Sequence, residues 1–152
     1  MNSGLISNIG DLFFEFEAKI QSFERKNLKD QDIIDVTPNE VKVLYLIGLS
    51  NNKSMKEIAE KLKITQGTLS ITVNSLVKKG YVLRTRHKLD KRVIILYLTK
   101  KSINVIKAYE EMYYELFNKL LLQVDEAKLV DLEMILTKLN LILEGSLDER
   151  DD

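Results

Sequence analysis

Apolar residues recur at three- and four-residue steps along the first part of the chain. Because about 3.6 residues make one helical turn, this spacing predicts a helix with one apolar face that reaches to about Lys26. A polar connection is expected over residues 27–36. Thr37 and Pro38 then predict the start of a second helix, with Thr37 as its cap and Pro38 at the first helical position, where its missing N–H costs nothing. The apolar face of the first helix comprises Leu5, Ile9, Leu12, Phe13, Phe16, Ile20 and Phe23.

Two short helices are predicted in the middle of the chain. The residues S-N-N-K (50–53) end the second helix, and Ser54 with Glu57 forms an S-x-x-E capping box that opens a third. Thr65 caps a fourth helix, which Gly80 ends. Two helices separated by about three residues, the second stopped by glycine, match a helix-turn-helix. The buried face of the fourth helix is predicted to comprise Leu69, Val73, Leu76 and Val77.

A hairpin and two long helices are predicted after Gly80. The runs Y-V-L-R-T-R (81–86) and R-V-I-I-L-Y-L (92–98) are rich in β-branched and aromatic residues, which favours two strands around a basic tip. Thr99 is expected to cap a long amphipathic helix, and Asp125 a last helix that ends near Gly145. The predicted inward face of the last helix comprises Leu129, Leu132, Ile135, Leu136, Leu139, Ile142 and Leu143.

The composition narrows the class of protein. The chain has 152 residues, about one domain's worth, and 45% of them are hydrophobic, with six Gly and one Pro, which favours a helical globular protein. No run of about 18 apolar residues is present, so we expect no membrane partner. The N-terminus lacks the basic start of a secretory signal, and the absence of cysteine excludes disulfides and thiol switches. We therefore expect a cytoplasmic location.

The charge is unevenly distributed. Residues 53–101 contain 13 Lys and Arg against three acids, a balance of +10, while the other 10 Lys and Arg and 20 Asp and Glu give −10. The overall charge of zero therefore hides a basic middle between acidic flanks. A compact cationic segment of this kind is typical of a surface that contacts nucleic acid.

Four segments, in order, carry a resemblance to a known family. They are K-E-I-A-E-K-L (56–62), T-Q-G-T-L-S-I-T-V-N-S-L-V-K-K-G-Y-V (65–82), D-K-R (90–92) and L-T-K (98–100). At these spacings the chain resembles the MarR family of winged-helix transcriptional regulators over nearly its whole length. The expected fold class is mainly α with a two-stranded β-wing, a winged helix-turn-helix flanked by N- and C-terminal dimerisation helices.

The resemblance implies a regulator, expected to be a repressor, that binds a pseudo-palindromic operator in double-stranded DNA as a homodimer. The helix over 65–79 would enter the major groove and the wing over 84–92 the minor groove. In this organisation residues 37–99 form the DNA-binding unit, residues 1–36 and 100–147 the dimerisation region, and residues 148–152 an acidic tail. The amphipathic helices favour the dimer independently, because they expose more apolar face than one module could cover.

The helical period predicts which side chains of the fourth helix face DNA. Gln66 lies in the first turn, where recognition helices usually touch base edges, and a glutamine pairs well with adenine. In the alternative interpretation, Gln66 and Thr68 only complete the helix cap. The DNA-binding residues predicted on this helix are Thr65, Gln66, Gly67, Thr68, Ile71, Asn74, Ser75 and Lys78.

Two positions depart from the common pattern of the family. Many members carry arginines where this chain has Ile71 and Ser75, so a guanine-seeking arginine is not available there. We therefore expect an operator rich in A·T pairs. Lys101, where the family usually has glycine, is expected to add a cation near the DNA face.

The wing carries the family's D-x-R pattern in Asp90 and Arg92. The resemblance implies that the arginine enters the minor groove, which A·T tracts narrow and make more negative, while the aspartate braces the hairpin tip. The alternative is a solvated tip with no partner. The DNA-binding residues predicted on the wing are Arg84, Arg86, Lys88, Asp90, Lys91 and Arg92. Candidate phosphate contacts are Lys53, Lys56, Lys78, Lys79 and Lys88.

Many members of the family bind an effector in a crevice between the dimerisation helices and the winged unit. The stretch T-x-G-T-L-S-x-x-V-N-x-L-x-x-K-G-Y is similar to that of the fatty-acid-synthesis repressors within the family. The implied partner is a small aromatic or acyl ligand, or an acylated carrier protein. The alternative is that the lining residues are simply core and dimer interface. They are Phe13, Phe16, Ile20, Tyr109, Met112, Tyr113 and Phe117.

Other classes of function have less support. The chain has no phosphate-binding glycine motif, no nucleophile elbow, and His87 as its single histidine, so neither catalytic residues nor a metal site or cofactor can be named. The serious rival is a winged helix that binds protein rather than DNA, because a fold does not fix a function.

Overall fold

Helices dominate the chain, and two strands form a hairpin between the fourth and fifth of them. The computed structural model describes residues 2–49 and 54–148. In that part of the chain the elements are α1 (Ser3–Asp30), α2 (Pro38–Leu49), α3 (Met55–Leu62), α4 (Gln66–Lys78), β1 (Val82–Arg86), β2 (Ile94–Leu98), α5 (Lys100–Leu121) and α6 (Glu126–Asp148). This order confirms the predicted fold class. The segment 50–53, with the candidate phosphate contact Lys53, and residues 149–152 of the predicted tail lie outside the described residues.

Side-chain caps set the starts of the two short helices. The Ser54 hydroxyl accepts a bond from the Glu57 N–H at 3.3 Å, and Glu57 Oε2 accepts one from the Ser54 N–H at 2.7 Å. Thr65 Oγ1 accepts a bond from the Thr68 N–H at 3.1 Å. The predicted capping box of α3 and the predicted cap of α4 are therefore confirmed.

Two helix ends differ from the prediction. α1 continues past Lys26 to Asp30, because Leu28, in the segment predicted to be a polar connection, is buried in the core and stabilises the last turn. α6 continues past Gly145 to Asp148. A glycine within a helix costs only about 1 kcal/mol relative to alanine, so Gly145 does not have to end the helix.

The hairpin is a two-stranded antiparallel sheet. β1 and β2 pair with Val82 opposite Leu98 and Arg86 opposite Ile94, so both strands are shorter than the predicted runs. Because side chains alternate along a strand, Val82 and Arg84 lie on the same face of the wing. Val82 is buried and β1 packs against α4, so this face is turned toward α4.

The hydrophobic core lies among α2, α3, α4 and the wing. Leu69, Val73 and Leu76 of α4 are fully buried, as predicted, and Val77 is partly buried. α4 is thus fixed on one side by packing and leaves the other side to solvent. Other core residues include Leu28, Val41, Leu44, Ile47, Ile58, Ala59, Tyr81, Val82 and Leu96.

The chain divides into two compact units, residues 1–112 and 113–152. In the first unit, the apolar face of α1 remains between 54% and 66% exposed over Leu5, Ile9, Leu12, Phe13 and Phe16. In the second, apolar residues of α6 that were predicted to point inward are between 41% and 63% exposed; they are Ile135, Leu136, Leu139, Ile142 and Leu143. The inward prediction is wrong for a single chain, because the helical period identifies an apolar face but not what covers it.

Candidate nucleic-acid interface

The side of α4 opposite the core forms an exposed surface without negative charge. Ile71 is 74% exposed, and Asn74 and Lys78 also face solvent. Gln66 and Gly67 are exposed in the first turn. α4 contains no acidic residue. Such a surface suits a helix that lies in a groove bordered by phosphates, since the phosphates would repel carboxylates.

Thr65 and Thr68 take part in the cap of α4. Thr65 Oγ1 accepts a bond from the Thr68 N–H, and the hydroxyl groups of the two threonines form a second hydrogen bond at 2.9 Å. Both side chains are exposed. The bonds agree with the capping interpretation of Thr68, whereas Gln66 stands exposed beside it.

An arginine of the wing reaches the recognition-like helix. Arg84 Nη1 donates to Asn74 Oδ1 at 2.6 Å, and Nη2 donates to the Ser70 carbonyl at 3.5 Å. Arg84 therefore connects β1 to the middle of α4. The same bond orients the Asn74 amide, because its oxygen is occupied by the guanidinium and its NH₂ group remains available as a donor.

Two side chains that the sequence placed on the DNA side are held by Glu40 of α2. The Ser75 hydroxyl donates to Glu40 Oε1 at 2.7 Å, and Lys79 Nζ lies 2.8 Å and 2.9 Å from the two carboxylate oxygens. Ser75 and Lys79 are both half-buried, and both have a partner inside the protein that the sequence prediction did not include. Their contacts with DNA stay predictions. The helical period predicts on which side of α4 Ser75 lies. It cannot predict the bond to Glu40, because Glu40 lies 35 positions earlier in the chain.

The wing tip is ordered by local bonds to two side chains. Asp90 Oδ1 accepts a bond from the Arg92 N–H at 3.0 Å, as expected for a brace. His87 Nδ1 accepts from the N–H groups of Leu89 and Asp90, each at 3.3 Å. The turn is therefore held by Asp90 and His87, and the Arg92 side chain is not needed to maintain it. The cations Arg86, Lys88 and Lys91 are exposed on the same hairpin.

Lys101 does not add a free cation to this surface, contrary to the expectation. Its ammonium group donates to Asp35 Oδ2 at 2.7 Å and lies 4.0 Å from the centre of the Tyr81 ring. The Tyr81 hydroxyl donates to Asp35 Oδ1 at 2.5 Å. The bond from Lys101, followed by that from Tyr81, lowers the pKa of the Asp35 carboxyl below its usual value. This cluster joins the segment before α2, the start of β1 and the start of α5.

Glu40 and Asp35 were missed by the sequence reasoning. The T-x-x-E spacing of Thr37 and Glu40 could have identified a capping box at the start of α2, which the structure contains at 3.2 Å and 2.8 Å. No local pattern could have paired Glu40 with Lys79, because the two residues are 39 positions apart.

Comparison with known proteins identifies the family. The sequence model of the MarR family matches residues 36–94. The transcriptional regulator SarZ of Staphylococcus saprophyticus is 32% identical over 116 residues, which cover 76% of this chain and 80% of the relative. The chain belongs to the MarR family.

Two further comparisons give a second relative and a solved structure with the same fold. The transcriptional regulator BilQ of Clostridium symbiosum is 30% identical over 105 residues, covering 69% of this chain and 72% of that protein. The crystal structure of Streptococcus pneumoniae FabT in complex with DNA has a TM-score of 0.85 at 24% identity and covers 92% of this chain and 98% of FabT. At this identity the structural likeness establishes the shared fold.

Four of the seven residues predicted to line a MarR-type effector crevice are buried or have partners within their own units. In the first unit, Tyr109 packs against Tyr45 with ring centres 6.3 Å apart and donates to Glu24 at 3.1 Å, and Met112 is buried. In the second, the rings of Tyr113 and Phe117 stack at 6.4 Å. These contacts agree with the core interpretation, and the effector ligand stays a prediction. Of the remaining predicted lining, Phe13 and Phe16 are exposed and Ile20 is half-buried.

Residues 2–49 and 54–148 contain neither a metal-binding cluster nor a membrane-spanning helix. No group of three or more His, Asp or Glu side chains is arranged to hold a metal ion there. No helix in the same part of the chain is long and apolar enough to cross a membrane.

Proposed function

We propose that this MarR-family protein is a sequence-specific transcriptional regulator that binds a pseudo-palindromic DNA operator as a homodimer and acts as a repressor. The observation that carries the proposal is the acid-free outer face of α4 beside a wing whose basic tip is braced by Asp90. The names of the relatives SarZ and BilQ as transcriptional regulators, and the DNA complex of FabT, support the same function. The proposed function is therefore binding, without catalysis.

In the proposed complex, α4 enters the major groove. Gln66 in the first turn contacts base edges, and Ile71 contacts thymine methyl groups. The NH₂ group of Asn74 donates a hydrogen bond to an acceptor on a base. Lys78 contacts a phosphate. An operator rich in A·T pairs suits this set, because none of these residues of α4 is an arginine that would select guanine.

The wing provides the second contact. Arg92 enters the minor groove while Arg86, Lys88 and Lys91 contact phosphates, whose negative charge they neutralise. Arg84 acts differently, because its bonds to Asn74 and Ser70 fix the wing against α4. The spacing between the two contacts is then set within one protomer.

A homodimer explains the exposed apolar faces of α1 and α6. Each helix exposes a continuous apolar stripe in the single chain, and such stripes usually mark an interface. A second copy that covers them creates a two-fold arrangement with two α4 helices, one for each operator half-site. We propose residues 37–99 as the DNA-binding unit and residues 1–36 and 100–147 as the dimerisation region. A regulator of this kind works where the chromosome lies, which is the cytoplasm in the bacteria that carry these relatives.

The salt dependence of duplex binding separates this function from a protein-interaction module with the same fold. We expect the logarithm of the affinity for duplex DNA to fall linearly with the logarithm of salt concentration, by about 0.9 per phosphate contacted. Replacing Arg86 and Lys88 by glutamine together removes two phosphate contacts from each protomer of the dimer and should reduce that slope by about four. Lys128→Gln, in the exposed first turn of α6, should leave it unchanged. Duplex binding that is absent at low salt would instead favour the protein-binding alternative.

A further inference from the structure

A buried carboxylate connects α2 to the C-terminal end of α4. Glu40 is only 6% exposed, and its oxygens accept bonds from the Thr37 N–H at 2.8 Å, the Ser75 hydroxyl at 2.7 Å and Lys79 Nζ at 2.8 Å and 2.9 Å. These donors come from two separate parts of the chain. Thr37 immediately precedes α2, whereas Ser75 lies in the last turn of α4 and Lys79 is its C-cap. We call Glu40, Ser75 and Lys79 the α2–α4 clamp.

The clamp favours one orientation of α4. Ser75 and Lys79 are four residues apart, so they lie on the same side of the helix, and both reach the same carboxylate. If α4 turned about its axis, the two donors would leave Glu40 together and a buried charge would lose its counter-charge, which is strongly unfavourable. The apolar residues Leu69, Val73 and Leu76 hold the helix against the core, whereas the clamp adds directional bonds that fix the rotation of α4 about its own axis.

We propose that Glu40 is a positioning residue for DNA recognition, which acts through Ser75 and Lys79 to set the angle at which α4 presents Gln66, Ile71 and Asn74 to the bases. The inference rests on the proposed function. Lys79 then differs from an ordinary basic residue on a DNA-binding helix, because its charge pairs with Glu40 within the protein.

The angle of α4 matters for selectivity more than for total affinity. Contacts to base edges require fixed geometry, whereas phosphate contacts are largely independent of sequence. Loss of the clamp should therefore weaken binding to the operator and leave binding to unrelated DNA nearly unchanged. A variant that is merely less stable would lose both in proportion to the folded fraction.

The neighbour of Lys79 provides a matched control. Lys78 is exposed on α4 and is proposed to contact a phosphate, whereas Lys79 is held by Glu40. The substitutions Lys78→Gln and Lys79→Gln remove the same charge from adjacent positions. If both lysines contacted DNA, each substitution would remove one phosphate contact per protomer and lower the salt slope of the dimer by about two.

The test compares the wild type with Glu40→Gln, Lys79→Gln, the double variant and Lys78→Gln. Gln is accepted in a capping box, so Glu40→Gln preserves the start of α2. It removes the negative charge that pairs with Lys79 and leaves one acceptor oxygen in place of the two that Thr37, Ser75 and Lys79 share. For each protein we would measure affinity for the operator selected by the wild type and for an unrelated duplex, over a range of salt concentrations.

We expect each clamp variant to reduce the ratio of operator to unrelated affinity about tenfold, as for the loss of one base contact. The double variant should lose no more than either single variant, because the two residues act as one unit. The salt slope on unrelated DNA should not change. Lys78→Gln should lower both affinities and the slope, with the ratio preserved.

A folded Glu40→Gln protein with an unchanged ratio would overturn the inference, and so would a Lys79→Gln protein that behaves like Lys78→Gln. If Glu40→Gln does not fold, Ser75→Ala removes one bond of the clamp and should lower the ratio in the same direction; an unchanged ratio would again overturn the inference. A wild-type protein that selects no DNA would refute the proposed function and this inference together, so the two failures are distinguishable.

Discussion

Among single residues, Asp90 and Arg92 have separate roles at the wing tip. The Asp90 carboxylate accepts the backbone N–H of residue 92, so it supports the turn whatever side chain stands there. The Arg92 guanidinium is exposed and is proposed to enter the minor groove. The two residues of the D-x-R pattern can therefore be tested separately.

Arg92→Ala should weaken specific DNA binding by about 1–3 kcal/mol, because it removes the minor-groove cation and keeps the bond to Asp90. The change would be measured by titration of a labelled operator at fixed salt. Arg25→Ala replaces an exposed arginine of α1 that lies outside the proposed DNA interface, and it serves as the control, with no effect expected on operator affinity. Equal affinities for wild type and Arg92→Ala would remove Arg92 from the interface.

Single residues were predictable where their partners are close in sequence. The Thr65 cap and the Asp90 brace each join residues two or three positions apart, within the range of turn and capping patterns. The ion pairs of Lys79 and Lys101 were missed, because their carboxylate partners lie 39 and 66 positions away. A basic residue in a basic segment gives no sign of such a partner.

At the scale of elements, α4 is held at both ends. Thr65 caps its N-terminus, and the α2–α4 clamp holds its C-terminus. Burial tends to raise the pKa of the Glu40 carboxyl, but the bonds from Lys79, Ser75 and the Thr37 N–H outweigh it, so this pKa lies below its ordinary value. The folded protein thus favours the ionised form.

This shift predicts how stability depends on pH. A carboxyl with a lower pKa in the folded state stabilises the fold above its unfolded pKa and loses that contribution as the pH falls through the folded value. The free energy of unfolding should therefore decline as the pH falls below about 4.5, and Glu40→Gln should decline less over the same range. Denaturant unfolding of both proteins at a series of pH values would measure this.

Asp35 also has a lowered pKa and contributes to the decline in both proteins, so the informative quantity is the difference between them. The stability advantage of the wild type over Glu40→Gln should narrow on acidification. An advantage that is constant with pH would show that the clamp does not depend on the Glu40 charge.

The positions of the elements followed from the sequence more closely than their packing. Caps and apolar periods placed α3, α4 and the wing within a few residues. The end of α1 was misplaced, because the burial of Leu28 depends on other elements. The connection of α2 to α4 through Glu40 is likewise a tertiary feature that no helical period contains.

At the scale of the whole molecule, the exposed apolar stripes of α1 and α6 require a partner, and a second copy of the chain is the proposed one. Leu12→Glu should shift the protein from dimer to monomer at micromolar concentration, because a carboxylate would be buried in the interface. Leu12 is 66% exposed in the single chain, so the substitution should not prevent folding. Sedimentation velocity would measure the mass, and circular dichroism the helix content.

Ser7→Glu is the matched control, because Ser7 is exposed on the opposite side of α1 by the helical period. It should leave the dimer intact. A wild-type protein that sediments as a monomer at the same concentration would contradict the proposed dimer, whatever the variants do.

This MarR-family chain is proposed to recognise DNA sequence as a two-fold dimer. The proposal can be tested by selecting bound duplexes from a random pool with the purified protein. We predict enrichment of an inverted repeat, rich in A·T pairs, whose half-sites lie about one helical turn apart. A pool that shows no enriched sequence after several rounds, together with no salt-dependent binding to any duplex, would contradict the claim.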